Sequence, residues 1–321
     1  MSASLPLEDL PNAADHRIFS RQMTARTATR FNCTKVLMFN GPISVGVRLD
    51  FEQPTRSALG SAFTVDYKLT AAPPVDTRSS TMQSELRNQT VAVIGGTSGI
   101  GLETARRARA EGAQVILTAR HPERLEEVAR EVDALRSAAF DANDFASLQS
   151  FFRGLPTEVN HVLVTAGAPH YGPLLEMPLE EIEDGLSAHL LLALKVARCA
   201  AGKVHPTGSL TFIGGTGARR PRVGLGIASA ATSAFPPLVA NLALELAPIR
   251  VNLIAAGFVD TPLSASILGA DLDKRRSELR SILPIRRVVQ ATDVAALAVH
   301  IMSNTALTGA TYDIDGGQQL V

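Results

Sequence analysis

Val93-Ile94-Gly95-Gly96-Thr97-Ser98-Gly99-Ile100-Gly101 is the stretch on which the reading of this chain turns. An apolar run at 91–94 leads into it, and a helical pattern at 100–110, closed by Gly112, leads out. The context is therefore strand, glycine turn, helix. Gly95 permits a sharp exit from the strand, Gly99 lets the backbone approach a pyrophosphate with no Cβ in the way, and Gly101 lets the helix pack close to a sheet. The free N–H groups at the helix start, that of Ile100 among them, and the dipole behind them favour an anion. Thr97 and Ser98 add hydroxyl donors.

Outward from the turn, a second apolar run at 115–118 is followed by a charged helix at 122–135. Further strand patterns lie at 138–140, 161–165, 209–214, 250–254 and 311–314, with long helical patterns at 179–199 and 228–246. Strands alternating with helices of this length predict an α/β protein: one Rossmann-type, doubly wound parallel sheet with helices on both faces. No internal repeat or low-complexity tract interrupts it.

The end of the second strand selects the dinucleotide. An acidic side chain about twenty residues after the turn would grip the ribose 2′-hydroxyl of NAD. This chain has Thr118-Ala119-Arg120-His121 there, with Arg124 one helical turn on. A guanidinium suits a 2′-phosphate through bidentate, charge-assisted hydrogen bonds, so NADP is expected over NAD.

Composition narrows the class. With 31 basic and 31 acidic residues in 321, the chain has no net charge, which argues against a nucleic-acid partner. Its apolar fraction of 45% can fill a sizeable core. Cys33 and Cys199 lack metal-ligand spacing and make no disulfide framework, so no metal is expected and the cytoplasm is the natural compartment. The apolar stretches are read as too short for a membrane span. Residues 1–81 carry scattered turn formers and no sustained period. Runs at 36–39 and 44–51 read as short strands without partners. The basic stretch 16–48 faintly resembles a transit peptide, but Glu8, Asp9 and Asp15 and the lack of a cleavage site oppose that. We read 1–81 as a disordered or non-native extension, Met82 as a plausible start, and 82–321 as the folded domain.

From Thr90 onward the chain resembles the short-chain dehydrogenase/reductase family. Gly95, Gly99 and Gly101 match its glycine motif. Asp141-Ala142 falls where the family has an aspartate near the adenine, and Thr165-Ala166-Gly167 where a strand ending in Asn-Asn-Ala-Gly is usual. Arg250-Val251-Asn252-Leu253 and Ala256-Gly257-Phe258-Val259-Asp260-Thr261-Pro262 resemble the segment over the nicotinamide, and 263–280 the substrate lid. Leu283-Pro284-Ile285-Arg286-Arg287, Asp293-Val294-Ala295, Thr308-Gly309 and Asp315-Gly316-Gly317 complete the pattern. The resemblance implies a homodimer or homotetramer built on two long helices and the last strand, with 317–321 at the intersubunit edge.

The catalytic positions depart from that family. Its Asn, Ser, Tyr and Lys supply a carbonyl-polarising serine, a tyrosine proton donor and a lysine that lowers the tyrosine pKa and binds ribose. Here the tyrosine position falls on Ile227, the lysine position on Ala231, the serine position on Gly214 or Gly215, and the helix asparagine position on His189. Among Tyr67, Tyr171 and Tyr312 neither the first nor the last is near this helix in sequence, and no lysine occurs between Lys203 and Lys274. Hydride transfer still needs a proton donor within reach. His189, Tyr171 and His170 are the candidates, the last two in the loop after the fourth strand. Ser229, Thr216 and Thr232 are candidate carbonyl polarisers, and Arg219, Arg220 and Arg222 a candidate clamp for an anionic substrate. Two readings stand at this point: an NADP-dependent oxidoreductase acting on a small-molecule carbonyl or alcohol with a substituted proton relay, and a catalytically silent or non-redox protein that binds a dinucleotide or small ligand.

Overall fold

Why the glycine turn lies near the middle of the sheet follows from strand order. The computed structural model describes residues 85–155, 158–167, 169–219 and 222–321. Thr81–Val321 forms one compact unit. The strand runs at 36–39 and 44–51, and the extension to which they belong, lie outside the described residues. The first half runs β1 (Thr90–Ile94), α1 (Gly99–Ala110), β2 (Gln114–Ala119), α2 (Pro122–Glu131), β3 (Arg136–Ala139), α3 (Phe145–Arg153) and β4 (Val159–Val164). The second runs α4 (Leu179–Ala200), β5 (Val204–Gly215), α5 (Gly226–Glu245), β6 (Arg250–Ala256), β7 (Val259–Asp260), α6 (Pro262–Leu268), α7 (Leu272–Ile282), β8 (Val289–Gln290), α8 (Ala291–Ser303) and β9 (Thr311–Ile314).

Seven parallel strands form one sheet in the order β3-β2-β1-β4-β5-β6-β9. The order reverses between β1 and β4, the point at which open α/β sheets bind ligands beyond their strand carboxyl ends. Every residue of β1 is buried, as a strand covered on both faces must be. Its period of two splits the core. Ala92 and Ile94 pack with Leu148, Phe152, Val196 and Phe212 on one face. Val91 and Val93 pack with Ala105, Val128, Ile254 and Val299 on the other.

The expected element order holds, with shifted ends. The strand expected at 138–140 is Arg136–Ala139, and the helix expected at 122–135 stops at Glu131. Four helices, α3, α6, α7 and α8, escaped the sequence reading, and two of them carry readable caps. Asp144 caps α3, accepting from Ala146 N at 3.1 Å, and the Asp293 carboxylate returns to Gln290 N at 2.9 Å at the start of α8. Both are standard N-terminal capping arrangements. α5 also corrects the expectation about apolar length: among the described helices it alone has the length and hydropathy of a membrane span. Ile227, Ala231, Phe235, Val239, Leu242 and Ala243 are buried along it, the pattern of a core helix.

Two polar anchors hold the sheet away from the ligand edge. Arg250 donates to Ile301 O and Met302 O, each at 2.7 Å, and to Leu307 O at 3.1 Å, so a cation closes the carbonyl end of α8. At the amino ends of β4 and β5, His161 Nδ1 meets Ser209 Oγ at 2.8 Å and its Nε2 meets Gln89 Oε1 at 2.6 Å. Burial, then the Arg250 charge, lowers the His161 pKa to about 3.

Candidate functional site

The glycine turn is pressed between three strand ends. Gly95 N and Gly96 N both donate to Thr118 O at 3.0 Å, and Gly95 takes φ +97°, which an L side chain rarely adopts. A Cβ on Gly101 would stand 2.2 Å from Gly95 O, and one on Gly95 would stand 2.7 Å from Thr165 Oγ1. Thr165 Oγ1 itself donates to Gly95 O at 2.9 Å, joining the turn to the end of β4. Gly99, at φ +50°, faces Thr261, whose Cβ and Cγ2 would lie 3.3 Å from an added Cβ. Ser98 precedes α1 in extended conformation and its hydroxyl makes no capping bond. The first-turn N–H groups of α1 are thereby left for a ligand. A cleft of about 340 Å³ opens beside them, with Ser98, Gly99, Leu102, Arg124, Pro262 and Gln290 in its wall. A phosphate group fits this cradle on shape and on unsatisfied donors.

The neighbouring strand ends carry the other expected contacts. Arg120 is exposed at the end of β2 and makes no ion pair or hydrogen bond with any described residue. Arg124, by contrast, pairs with Glu127 at 2.6 Å. Phe140 N donates to Ala119 O at 2.9 Å, which sets Asp141 beside the end of β2. The Asp141 carboxylate accepts from Asn143 N at 2.9 Å, and Ala142 is buried in the core. Ala166 N donates to Ile94 O at 3.0 Å, and Gly167 follows it at φ +108°.

Across the cleft, Gly257 N donates to Ile314 O at 3.1 Å, and a Cβ on Gly257 would stand 2.5 Å from Asp315 Cβ. Asp315 is buried and accepts from Gly317 N at 2.8 Å and Gln319 N at 3.0 Å. Val259 is buried where β7 pairs with β8. Thr261 caps α6, accepting from Ser264 N at 3.3 Å. Arg276 of α7 clamps Asp260 at 2.9 and 2.7 Å, fixing α6 and α7 over this end. No sequence signal singled out that pair, because a long-range arginine–aspartate contact has no fixed spacing.

The residues aligned with the family's tyrosine and lysine are apolar. Ile227 and Ala231 are buried on the first turns of α5. A Cβ on Gly185 of α4 would meet Ile227 Cγ2 at 2.6 Å and His170 Cβ at 3.0 Å, so His170 and Ile227 flank one residue. His170 Nδ1 is buried with no hydrogen-bond partner among the described residues. The His189 ring lies 3.6–3.9 Å from the Cβ position of Gly167, at the mouth of β4. Burial, and then the nearby His170, lowers the His189 pKa, so its imidazole is neutral at neutral pH. Desolvation raises the Tyr171 phenol above its ordinary value.

Two of the three hydroxyl candidates are already engaged with nearby backbone. Ser229 Oγ donates to Gly217 O at 3.1 Å, and Thr232 Oγ1 donates to Ala228 O at 2.7 Å while accepting from Ala218 N at 3.1 Å. Thr216 is buried. Arg219 is corrected as a clamp: it is held by Asp313 and Gln319. Arg222 is exposed, and Arg220 lies outside the described residues.

Comparison with known proteins agrees with this geometry. Residues 94–319 match the family model described as Enoyl-(Acyl carrier protein) reductase. The chain is 28% identical over 248 residues to the short-chain dehydrogenase/reductase ATR9 of Stachybotrys chlorohalonatus (strain IBT 40285), covering 72% of this chain and 97% of that protein. It is 28% identical over 255 residues to the NADP-dependent (R)-specific alcohol dehydrogenase of Lentilactobacillus kefiri, covering 74% of this chain and 98% of that protein. A solved small-chain dehydrogenase in complex with NADPH superposes with TM-score 0.63 at 26% identity, covering 73% of this chain and 99% of that one. Seven parallel strands in this order, the glycine turn at their switch point and these matches together show that the chain belongs to the short-chain dehydrogenase/reductase family of oxidoreductases.

Proposed function

We propose that the protein is an NADP-dependent oxidoreductase that interconverts a carbonyl and an alcohol with a non-standard proton relay. The observation that carries the reading is the pairing of an intact phosphate cradle at Gly95–Gly101 with an uncommitted Arg120 at the end of β2. Gly95, Thr97, Ser98, Gly99, Ile100 and Gly101 would hold the pyrophosphate, Arg120 the 2′-phosphate, and Asp141 and Ala142 the adenine side. Ala166, Gly167, Gly257, Val259 and Thr261 would border the nicotinamide, which supplies the hydride. Relatives whose names carry NADP or NADPH support this choice.

Proton transfer then falls to His189, with His170 and Tyr171 beside it. Neutral His189, at the position aligned with the family's asparagine, would take the alcohol proton on its free ring nitrogen in the oxidative direction. In the reductive direction it would give a proton to the carbonyl oxygen only after taking one up from water to become imidazolium. Tyr171, with its raised pKa and no lysine to counter it, stays protonated and serves as an acid rather than a base. The reading includes a homodimer or homotetramer, in which the exposed Leu186, Leu191 and Leu194 of α4 and Leu244 of α5 would be covered. Light scattering at monomer mass would remove that part.

The test is NADPH consumption over a panel of carbonyl compounds, wild type against His189→Ala. Turnover that falls by about 100-fold or more in the variant is expected. Equal turnover in both would remove His189 from the relay.

A further inference from the structure

Resting on the oxidoreductase reading, the rim of the site narrows the substrate class. Two loops meet above His170 and Ile227. The loop between β4 and α4 passes through Tyr171, Leu174 and Leu175, and the loop between β5 and α5 through Val223. Gly172 N donates to Gly224 O at 2.9 Å, fastening one loop to the other. The Leu174 side chain lies over Gly226, 2.5 Å from where a Cβ would stand, and Met177 lies 3.0 Å from where a Cβ on Gly172 would stand. The loops therefore form one surface around the mouth.

That surface is apolar and open. Leu175 is fully exposed, Val223 is 90% exposed, and Tyr171 and Leu174 are each about half exposed. Exposing large side chains together is unfavourable unless something covers them. Next to Gly226, against which Leu174 lies, the positions aligned with the family's tyrosine and lysine are the buried Ile227 and Ala231, so the residues behind the rim are apolar as well. Among the described residues charge at the rim is divided: Arg222 precedes Val223 in the chain, while Glu176 follows Leu175 and Glu180 and Glu181 begin α4. No single sign of charge selects the ligand.

We propose that the substrate is a bulky, uncharged apolar carbonyl compound whose reacting end lies towards His170 and whose body extends over Tyr171, Leu174, Leu175 and Val223. Its continuity with His170 and Ile227 assigns the surface to the substrate rather than to a second protein. Apolar area removed from water on both partners gives the affinity, and the polar end alone faces the histidines.

The experiment is calorimetric titration of the NADPH-saturated full chain with biphenyl-4-carbaldehyde and with propanal, in wild type and in the double variant Leu175→Asp/Val223→Asp. Both positions are solvent-exposed, so folding tolerates the change. The wild type is expected to bind the biphenyl compound at least about tenfold more tightly than propanal, and the variant to lose most of that preference while keeping its NADPH affinity. Equal affinity for the two aldehydes, or an unchanged preference in the variant, overturns the proposal. A dimer that becomes a monomer in the variant while the preference stays would assign the rim to contact between copies instead. If the wild type binds no NADPH, the cofactor reading falls, and the same titrations of the free protein still decide the rim.

Discussion

Ile227 of α5 fills the space beside Gly185 of α4 so closely that a Cβ on Gly185 would meet Ile227 Cγ2 at 2.6 Å. The position that carries a tyrosine hydroxyl in the family is thus an apolar wedge between two helices. The same glycine touches His170, so this wedge also sets where the histidine sits. Gly185→Ala is expected to displace one or both, lowering stability by about 1–3 kcal/mol and turnover by about tenfold. Urea unfolding and kcat measured on the same preparation check it; loss of stability with full turnover would show that His170 takes no part.

Arg120 has no partner to leave among the described residues, so removing it should change cofactor choice without disturbing the fold. Arg120→Ala is expected to weaken NADPH about tenfold and leave NADH within about twofold, because one charge-assisted contact is lost from the phosphorylated cofactor alone. Binding titrations with both cofactors check this. Equal weakening of both would place Arg120 away from the 2′-phosphate.

Gly101 and Gly99 should fail differently. An alanine at 101 puts a Cβ 2.2 Å from Gly95 O and forces α1 away from the sheet, whereas at 99 the nearest contact is Thr261 at 3.3 Å. Gly101→Ala is expected to lower both Tm and NADPH affinity. Gly99→Ala carries the φ +50° strain, about 1–2 kcal/mol, and acts mainly by obstructing the phosphate. Differential scanning calorimetry alongside NADPH titration separates the two effects.

The buried His161 makes stability depend on pH. Its pKa falls from 6.5 to about 3 on folding, first through burial and then through Arg250. Below pH 6.5 the unfolded chain takes up a proton that the folded protein refuses, so stability present above that pH is lost as pH falls towards the folded value. One group of this kind gives a slope of up to about 1.4 kcal/mol per pH unit. Urea unfolding across that range should show the slope, and His161→Gln should flatten it while lowering stability at neutral pH. An unchanged slope in the variant would assign the titration elsewhere.

The fold was legible because its signals are local. Gly95, Gly99 and Gly101 sit at fixed spacing, and Val91–Ile94 alternates between the two core faces within a single strand. The cradle was legible for the same reason. α3 was not, since five apolar residues in so short a helix give little periodicity, although Asp144 ahead of Ala146 and Ser147 was a readable cap. Arg219 was misplaced because only the folded chain brings Asp313 to it from the last strand. The closeness of His170, Gly185 and Ile227 was equally hidden: three elements contribute it, and nothing in their spacing announces it.

The most direct test of the account is a fluorescence titration of the full chain with NADPH and with NADH. Micromolar binding that favours NADPH is the predicted result, and it would confirm the cradle at Gly95–Gly101 together with Arg120. Binding of neither cofactor would contradict the account: the glycine turn would then be vestigial, and the oxidoreductase reading would give way to a protein that binds some other small ligand on the same fold.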